Sequence, residues 1–191
     1  MAERPIILDP ATAQAVLGGR RTRLRVLATP AMRACRPGDR LWVRETFVAG
    51  RTEVDGRESF AAVARAQFAV FLDGWRRYRD GSGRAGPVPT SARLQWKAAI
   101  QMPRWASRAT LRVTEARVQR LQALRPAEAV AECGLGRVGP LCWRLRGPVK
   151  GIWRSPRHAF AAMWNATHGT VGERWEDDPE VVVLGFEVER A

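Results

Sequence analysis

The sequence predicts an α+β fold built on a small mixed sheet or barrel, and three observations support this. Runs of strand-forming residues recur along the chain, the helical segments between them are short, and the two kinds do not alternate regularly enough for a doubly wound sheet. The 191 residues are 46% hydrophobic and include eight tryptophans, which suits one packed core. We therefore expect a single domain over residues 1–191.

The N-terminal elements follow from local signals. A short apolar run predicts a strand over residues 5–8. Residues 11–17 are good helix formers, with Asp9 as the cap and Pro10 in the first turn. Two glycines end that helix. Further strands are predicted in the second half of residues 20–27 and, after a turn at 37–39, over residues 40–47.

Residues 48–97 are weakly patterned, and we interpret them as a variable, partly mobile excursion. Within it, residues 61–72 are compatible with a helix and residues 80–87 are typical of a loop. A clean alternation then predicts a strand over residues 109–114. The remaining elements are a short helix at 126–132, a second excursion at 134–156, a helix at 157–168 and the strongest strand at 181–188.

The formal net charge is +13 and the isoelectric point is about 11.4, which favours polyanionic partners. Of the 32 basic residues only Lys97 and Lys150 are lysines, a bias that a GC-rich genome also produces, although such a swap leaves the net charge unchanged. The alternative is a basic surface without such a partner. The chain has no apolar run long enough for a membrane and no secretory signal, so we expect a cytoplasmic protein with no membrane partner. The spacing of its three cysteines and two histidines predicts no metal site, and we expect no cofactor.

Four segments carry a resemblance to a known family. They are residues 15–22 (AVLGGRRT), 37–46 (PGDRLWVRET), 102–108 (MPRWASR) and 178–183 (DPEVVV). In this order they resemble the phage- and prophage-type branch of the ASCH domain family, within the PUA-like superfamily. The resemblance implies a PUA-like mixed β-barrel with short flanking helices, interrupted by the two excursions. It also implies an RNA-related role, with a nucleotide or modified base held in a cleft beside the helix-to-strand turn.

One branch similar to this family hydrolyses the amide of N4-acetylcytidine, using a Lys and a Thr from a turn G-x-K-x-x-T and a Glu from a helix. Here the turn matches Gly19, Arg21 and Leu24, and the helix position matches Glu132. Leu24 has no oxygen that could attack, and an arginine is not deprotonated in proteins, so Arg21 is no base. Thr22 offers a hydroxyl, but on a strand it faces away from Arg21.

Glu132 therefore remains the candidate catalytic carboxylate. One alternative is an exposed helix glutamate without a special role. Another places Glu132 among arginines, which would lower its pKa and keep it ionised, so that it orients a base edge or an arginine without catalysis. Because the Lys and the Thr are both replaced, the residues favour a binding module over an enzyme.

Candidate nucleic-acid-binding residues fall into two groups. The turn supplies Arg20, Arg21, Arg23 and Arg25, of which the last three share one face of an extended strand. The same charges also suit a solvated strand edge that discourages aggregation. The second group is Arg44, Arg104, Trp105 and Arg108.

In the second group, Trp105 is placed to stack on a base while Arg104 or Arg108 holds its phosphate. The other interpretation makes Trp105 a core residue, as Trp42 is expected to be. Arg44 and Glu45 line the cleft or form a surface pair.

We therefore expect a PUA-like module that binds RNA or a modified nucleoside, in a prophage setting, with DNA as a second candidate partner. The alternative is a hydrolase that acts on N4-acetylcytidine-type amides or on RNA through a rearranged site. A third hypothesis is a phage accessory protein that binds another protein through the excursions.

Overall fold

The structure is a computed structural model that describes residues 1–55, 57–60, 62–90, 94–140, 142–145, 149 and 151–190. These residues form a mixed α+β fold with 13 strands and four α-helices, which confirms the α+β part of the predicted fold class; the PUA-like barrel stays a prediction. The described strands form three sheets, and among them no closed barrel is found. Within the same residues, no helix combines the length and the apolar character needed to cross a membrane.

The strands are β1 (Glu3–Ile7), β2 (Arg23–Leu27), β3 (Arg40–Arg44), β4 (Phe47–Thr52), β5 (Glu58–Phe60), β6 (Phe68–Phe71), β7 (Arg76–Tyr78), β8 (Gly83–Arg84), β9 (Ala109–Arg120), β10 (Gly136–Gly139), β11 (Cys142–Arg144), β12 (Ile152–Trp153) and β13 (Glu180–Arg190). The α-helices are α1 (Pro10–Leu17), α2 (Pro30–Arg33), α3 (Pro126–Cys133) and α4 (Pro156–Asn165).

The chain divides into two compact units, each assembled from separate segments. The first unit contains Met1, Gly18–Asp39 and Arg112–Glu187. The second contains Ala2–Leu17, Arg40–Leu111 and the C-terminal residues from Val188. Strands β9 and β13 each begin in one unit and end in the other.

In the first unit, the later part of β9, the earlier part of β13 and β2 lie side by side in that order. β2 pairs antiparallel with β13, so that Arg25 lies opposite Val183 and Arg23 lies opposite Gly185. β10, β11 and β12 form a small antiparallel sheet. Helices α3 and α4 contribute Ala129 and Phe160 to one buried apolar cluster.

In the second unit, β1 pairs parallel with β3, and the start of β9 follows β3. β4 to β8 form a five-stranded sheet in the order β5-β4-β6-β7-β8. Phe47, Phe68 and Phe71 are fully buried there. Residues 48–97, interpreted from sequence as an excursion, thus contain most of an ordered sheet.

The helix considered for residues 61–72 is wrong, because Val63–Arg65 form only a 3-10 turn and Phe68–Phe71 form a strand. All four residues of that strand are buried, so it lacks the polar alternation by which a strand with one exposed face is recognised. The helix predicted at 11–17 is confirmed, with the Thr12 N–H donating to Asp9 Oδ1 at 3.0 Å. The strand predicted over 40–47 ends at Arg44. The single-domain organisation stays a prediction.

Candidate functional site

Arg25 lies inside the first unit rather than on an exposed face. Its side chain is 1% exposed, with Nε donating to Glu132 Oε2 at 2.9 Å and Nη2 donating to Glu128 Oε2 at 3.0 Å. The two glutamates are four residues apart on α3, so both project from one face of that helix towards β2. We call Arg25, Glu128 and Glu132 the Arg25 cluster.

Glu132 is buried, so its interpretation as an exposed helix glutamate is wrong. Burial raises the pKa of Glu132, against the opposing charges of Arg25 and Arg21. The expected lowering of that pKa is therefore also wrong, because loss of water penalises the charged form more than the two arginines compensate. Glu132 Oε1 and Arg25 Nη1 are buried and have no hydrogen-bond partner. The cluster thus keeps one unsatisfied acceptor and one unsatisfied donor.

Glu128 anchors the rest of the cluster. Its Oε1 accepts from Arg117 Nη2 at 2.6 Å, and its Oε2 accepts from the Arg125 N–H at 3.0 Å as well as from Arg25. Burial by itself raises the pKa of Glu128, but the Arg125 N–H, the Arg117 guanidinium and the Arg25 charge outweigh it and lower the pKa. Glu128 is therefore an ionised counter-charge that holds Arg25 in place.

Arg23 and Arg21 lie nearer the surface. Arg23 Nη2 is 3.2 Å from Glu115 Oε2, and both side chains are about half exposed. Gly185 lies between their strands, where an added Cβ would approach Glu115 Cβ to 3.1 Å. Arg21 is half-buried, its Nε donates to the Arg23 carbonyl at 3.2 Å, and its charge acts on Glu132.

Arg23 and Arg25 are alternate residues of β2 and so lie on one face of it, but Arg23 is half exposed whereas Arg25 is buried against α3. The solvated strand edge considered for these arginines is therefore wrong at Arg25. Leu24 is buried as well, so β2 has no solvated face at that point.

Two groups bear on the hydrolase alternative. Thr22 is exposed, and within the described chain no hydrogen bond joins its hydroxyl to the Arg25 cluster. Cys133 follows Glu132 directly, and burial raises the pKa of its thiol to about 12. A thiol with that pKa stays protonated at neutral pH and is no nucleophile.

Arg108, in the second unit, is surrounded by acidic side chains that accept its hydrogen bonds. Its Nε and Nη2 donate to the two carboxylate oxygens of Glu45 at 2.8 and 2.6 Å, and its Nη1 donates to Asp73 at 2.7 Å. Its guanidinium carbon lies 4.3 Å from the centroid of the Phe71 ring. Burial lowers the pKa of Arg108, but Glu45 and Asp73 outweigh it and raise the pKa. Every guanidinium nitrogen of Arg108 already donates a hydrogen bond within the protein, so Arg108 has a structural role.

The other residues of the second group stack on tryptophans. Arg44 and Arg104 lie 4.4 and 5.5 Å from the centroid of the Trp42 ring, which is buried as expected. Arg104 also pairs with Glu3, and the ring of half-buried Trp105 packs against the core of the second unit. The predicted surface pair of Arg44 with Glu45 does not form, because Glu45 is buried against Arg108.

The structure therefore brings Arg21, Arg25 and Glu132 together, and places Arg44, Arg104, Trp105 and Arg108 in the other unit. Arg20 is exposed on the turn. Sequence reasoning missed Glu128, Arg117 and Glu115. The available signals were the four-residue spacing of two glutamates on a predicted helix and the alternation of Glu115 and Arg117 along a strand.

No family model, no curated protein and no solved structure matches this chain. Among the described residues, no three His, Cys, Asp or Glu side chains are grouped as metal ligands.

Proposed function

We propose that this chain binds RNA or a modified nucleoside through the Arg25 cluster. The supporting observation is a buried guanidinium in contact with a buried carboxylate, each with one polar atom that lacks a partner. Buried polar atoms without partners cost about 1–3 kcal/mol each. The pair therefore suits a ligand that both donates and accepts hydrogen bonds, as the edge of a nucleobase does.

The surroundings of the cluster fit a negatively charged ligand. Arg20, Arg21 and Arg23 precede Arg25 along the chain, and guanidinium groups bind phosphate bidentately. The net charge of +13 favours association with a polyanion. A PUA-like barrel of the ASCH family, with the cluster beside its cleft, is part of this proposal and rests on the sequence resemblance.

Titration of the protein with cytidine, N4-acetylcytidine and short single-stranded RNA, followed by calorimetry at low salt, tests the proposal. We expect binding by the wild type and binding at least about tenfold weaker in Glu132→Gln, a loss of about 1.4 kcal/mol. Glu187→Gln is the matched control, because Glu187 is an exposed carboxylate that pairs with Arg112. If neither nucleosides nor RNA bind at low salt, the proposal fails.

A hydrolase acting on N4-acetylcytidine-type amides or on RNA is the second candidate. It is favoured by the burial of Glu132, which raises the pKa of its carboxyl, because a carboxyl with a raised pKa is suited to general acid–base catalysis. Water would be the nucleophile, since Leu24 has no hydroxyl and Cys133 stays protonated. Product formation from N4-acetylcytidine that Glu132→Gln abolishes would support the hydrolase, whereas binding without turnover supports the module.

A further inference from the structure

Residues 134–156 concentrate positive charge without any acidic residue. They include four arginines and one lysine but no Asp or Glu, whereas residues 157–190 include seven acids and three arginines. Arg144 and Arg154 are described by the structure and are exposed. The small sheet β10–β12 lies within this segment and therefore carries no acidic residue.

The two faces of this sheet differ sharply. Trp143 lies opposite Trp153 across β11 and β12, and both pack against the apolar cluster of the first unit. Side chains alternate along a strand, so Arg144 and its partner Ile152 face the other way. Ile152 is 59% exposed, and Arg154, also exposed, lies in the bend directly after β12. We call Arg144, Ile152 and Arg154 the outer face.

Several other surface arginines have acidic partners. Arg33 pairs with Glu180, Arg40 with Glu189 and Arg112 with Glu187. In the described part of the chain, no carboxylate comes within ion-pair distance of Arg144 or Arg154. Their charge is therefore available to an anion from outside the protein.

We propose that the outer face binds the backbone of a single-stranded nucleic acid. Arg144 and Arg154 supply planar groups for phosphates. Ile152 lies with them as an exposed apolar side chain that can pack on the face of a base, which a single strand presents and a duplex hides. Helix α4 begins just after Arg154 and has no acid in its first turn. The positive end of its dipole therefore adds to the positive electrostatic potential at the outer face.

This inference deepens the proposed function and rests on it only for the choice of nucleic acid as ligand. Different residues carry the two proposals: the Arg25 cluster would bind a base, and the outer face would bind the backbone. Either proposal can therefore be disproved while the other stands.

Fluorescence anisotropy with a short labelled single-stranded RNA, over a series of salt concentrations, tests the outer face. We expect the double variant Arg144→Ala/Arg154→Ala to bind about tenfold more weakly. The slope of log affinity against log salt should become shallower by about 1.4, or about 0.7 for each lost phosphate contact. Binding of free nucleoside should not change. Arg33→Ala/Arg40→Ala removes the same charge elsewhere and should alter the affinity for RNA less than about twofold.

An unchanged affinity in Arg144→Ala/Arg154→Ala overturns the inference, as does an equal loss in both double variants. Duplex RNA that competes as well as the single strand overturns the assignment to single strands. Arg144→Lys/Arg154→Lys is the control for misfolding. It keeps both positive charges and should therefore retain most of the affinity for RNA. If Glu132→Gln has no effect while the outer-face variant does, the base site fails and the backbone surface stands.

Discussion

Arg25 and Arg108 are both buried among carboxylates, yet they differ at a single nitrogen. In Arg108 all three nitrogens donate to Glu45 or Asp73, whereas in Arg25 Nη1 is left over. A buried ionic network that is fully hydrogen-bonded stabilises the fold, and one with a missing partner costs free energy. This difference is why we assign a structural role to Arg108 and a ligand to Arg25.

Arg108→Lys should lower the free energy of unfolding by about 1.5–3 kcal/mol, because an ammonium cannot make the two parallel hydrogen bonds to Glu45. Urea unfolding followed by tryptophan fluorescence measures the loss. Arg44→Lys is the control, since Arg44 stacks on Trp42 and makes no such fork. Equal losses in the two variants would contradict the structural role.

Arg25→Met should destabilise the protein by about 3–5 kcal/mol, because it leaves Glu132 buried without its counter-charge. The double variant Arg25→Met/Glu132→Leu should recover part of that loss, since both charges are then removed. Urea unfolding of the two single variants and the double variant forms a thermodynamic cycle. Strictly additive losses would show that the two side chains do not interact.

At the scale of elements, local signals predicted much of the first unit. The turn residues and apolar spacing that predict α3 and α4, the alternation in β9 and the continuous apolar run of β13 are all signalled by neighbouring residues. The burial of Arg25 is not, because Glu132, its partner, lies 107 residues away along the chain. The sheet over residues 47–84 was missed for a related reason: its strands are short, and the central one has no polar side.

Gly185 is a second case in which strand neighbours decide the role of a residue. Gly185→Val should lower the free energy of unfolding by about 1–3 kcal/mol, because its Cβ would crowd Glu115 Cβ at 3.1 Å and the Thr114 hydroxyl at 3.2 Å. Thermal unfolding measures the effect. Gly169→Ala is the control, since nothing lies within 4 Å of an added Cβ there. A Gly185 variant as stable as the Gly169 variant would be inconsistent with this crowding.

At the scale of the whole molecule, the two units carry acids with lowered pKa values. Hydrogen bonds from Arg76 lower the pKa of Glu58 in the second unit, and Glu128 in the first is lowered also. Each such ion pair stabilises the folded state at pH values above the unfolded-state pKa of about 4.5. This contribution is lost as the pH falls through the lower folded-state pKa. The pKa of Glu132 shifts in the opposite direction, so its contribution to stability declines as the pH rises from 4.5 through the raised folded-state pKa.

Thermal unfolding between neutral pH and acid should therefore show a falling transition temperature below about pH 4.5. The transition temperature of Glu58→Gln should fall less steeply in that range than that of the wild type, because the glutamine side chain has no proton to gain. Parallel curves for the two proteins would contradict the assignment of that ion pair.

Strands β9 and β13 cross from one unit to the other, and this has a consequence for genetics. No single break in the chain releases either unit whole, because the segments of the two units alternate along the sequence. A truncation that removes β13 takes away the strand between β9 and β2 and leaves edges prone to aggregation, so we expect such alleles to lose function. Only missense alleles can assign an activity to the Arg25 cluster or to the outer face.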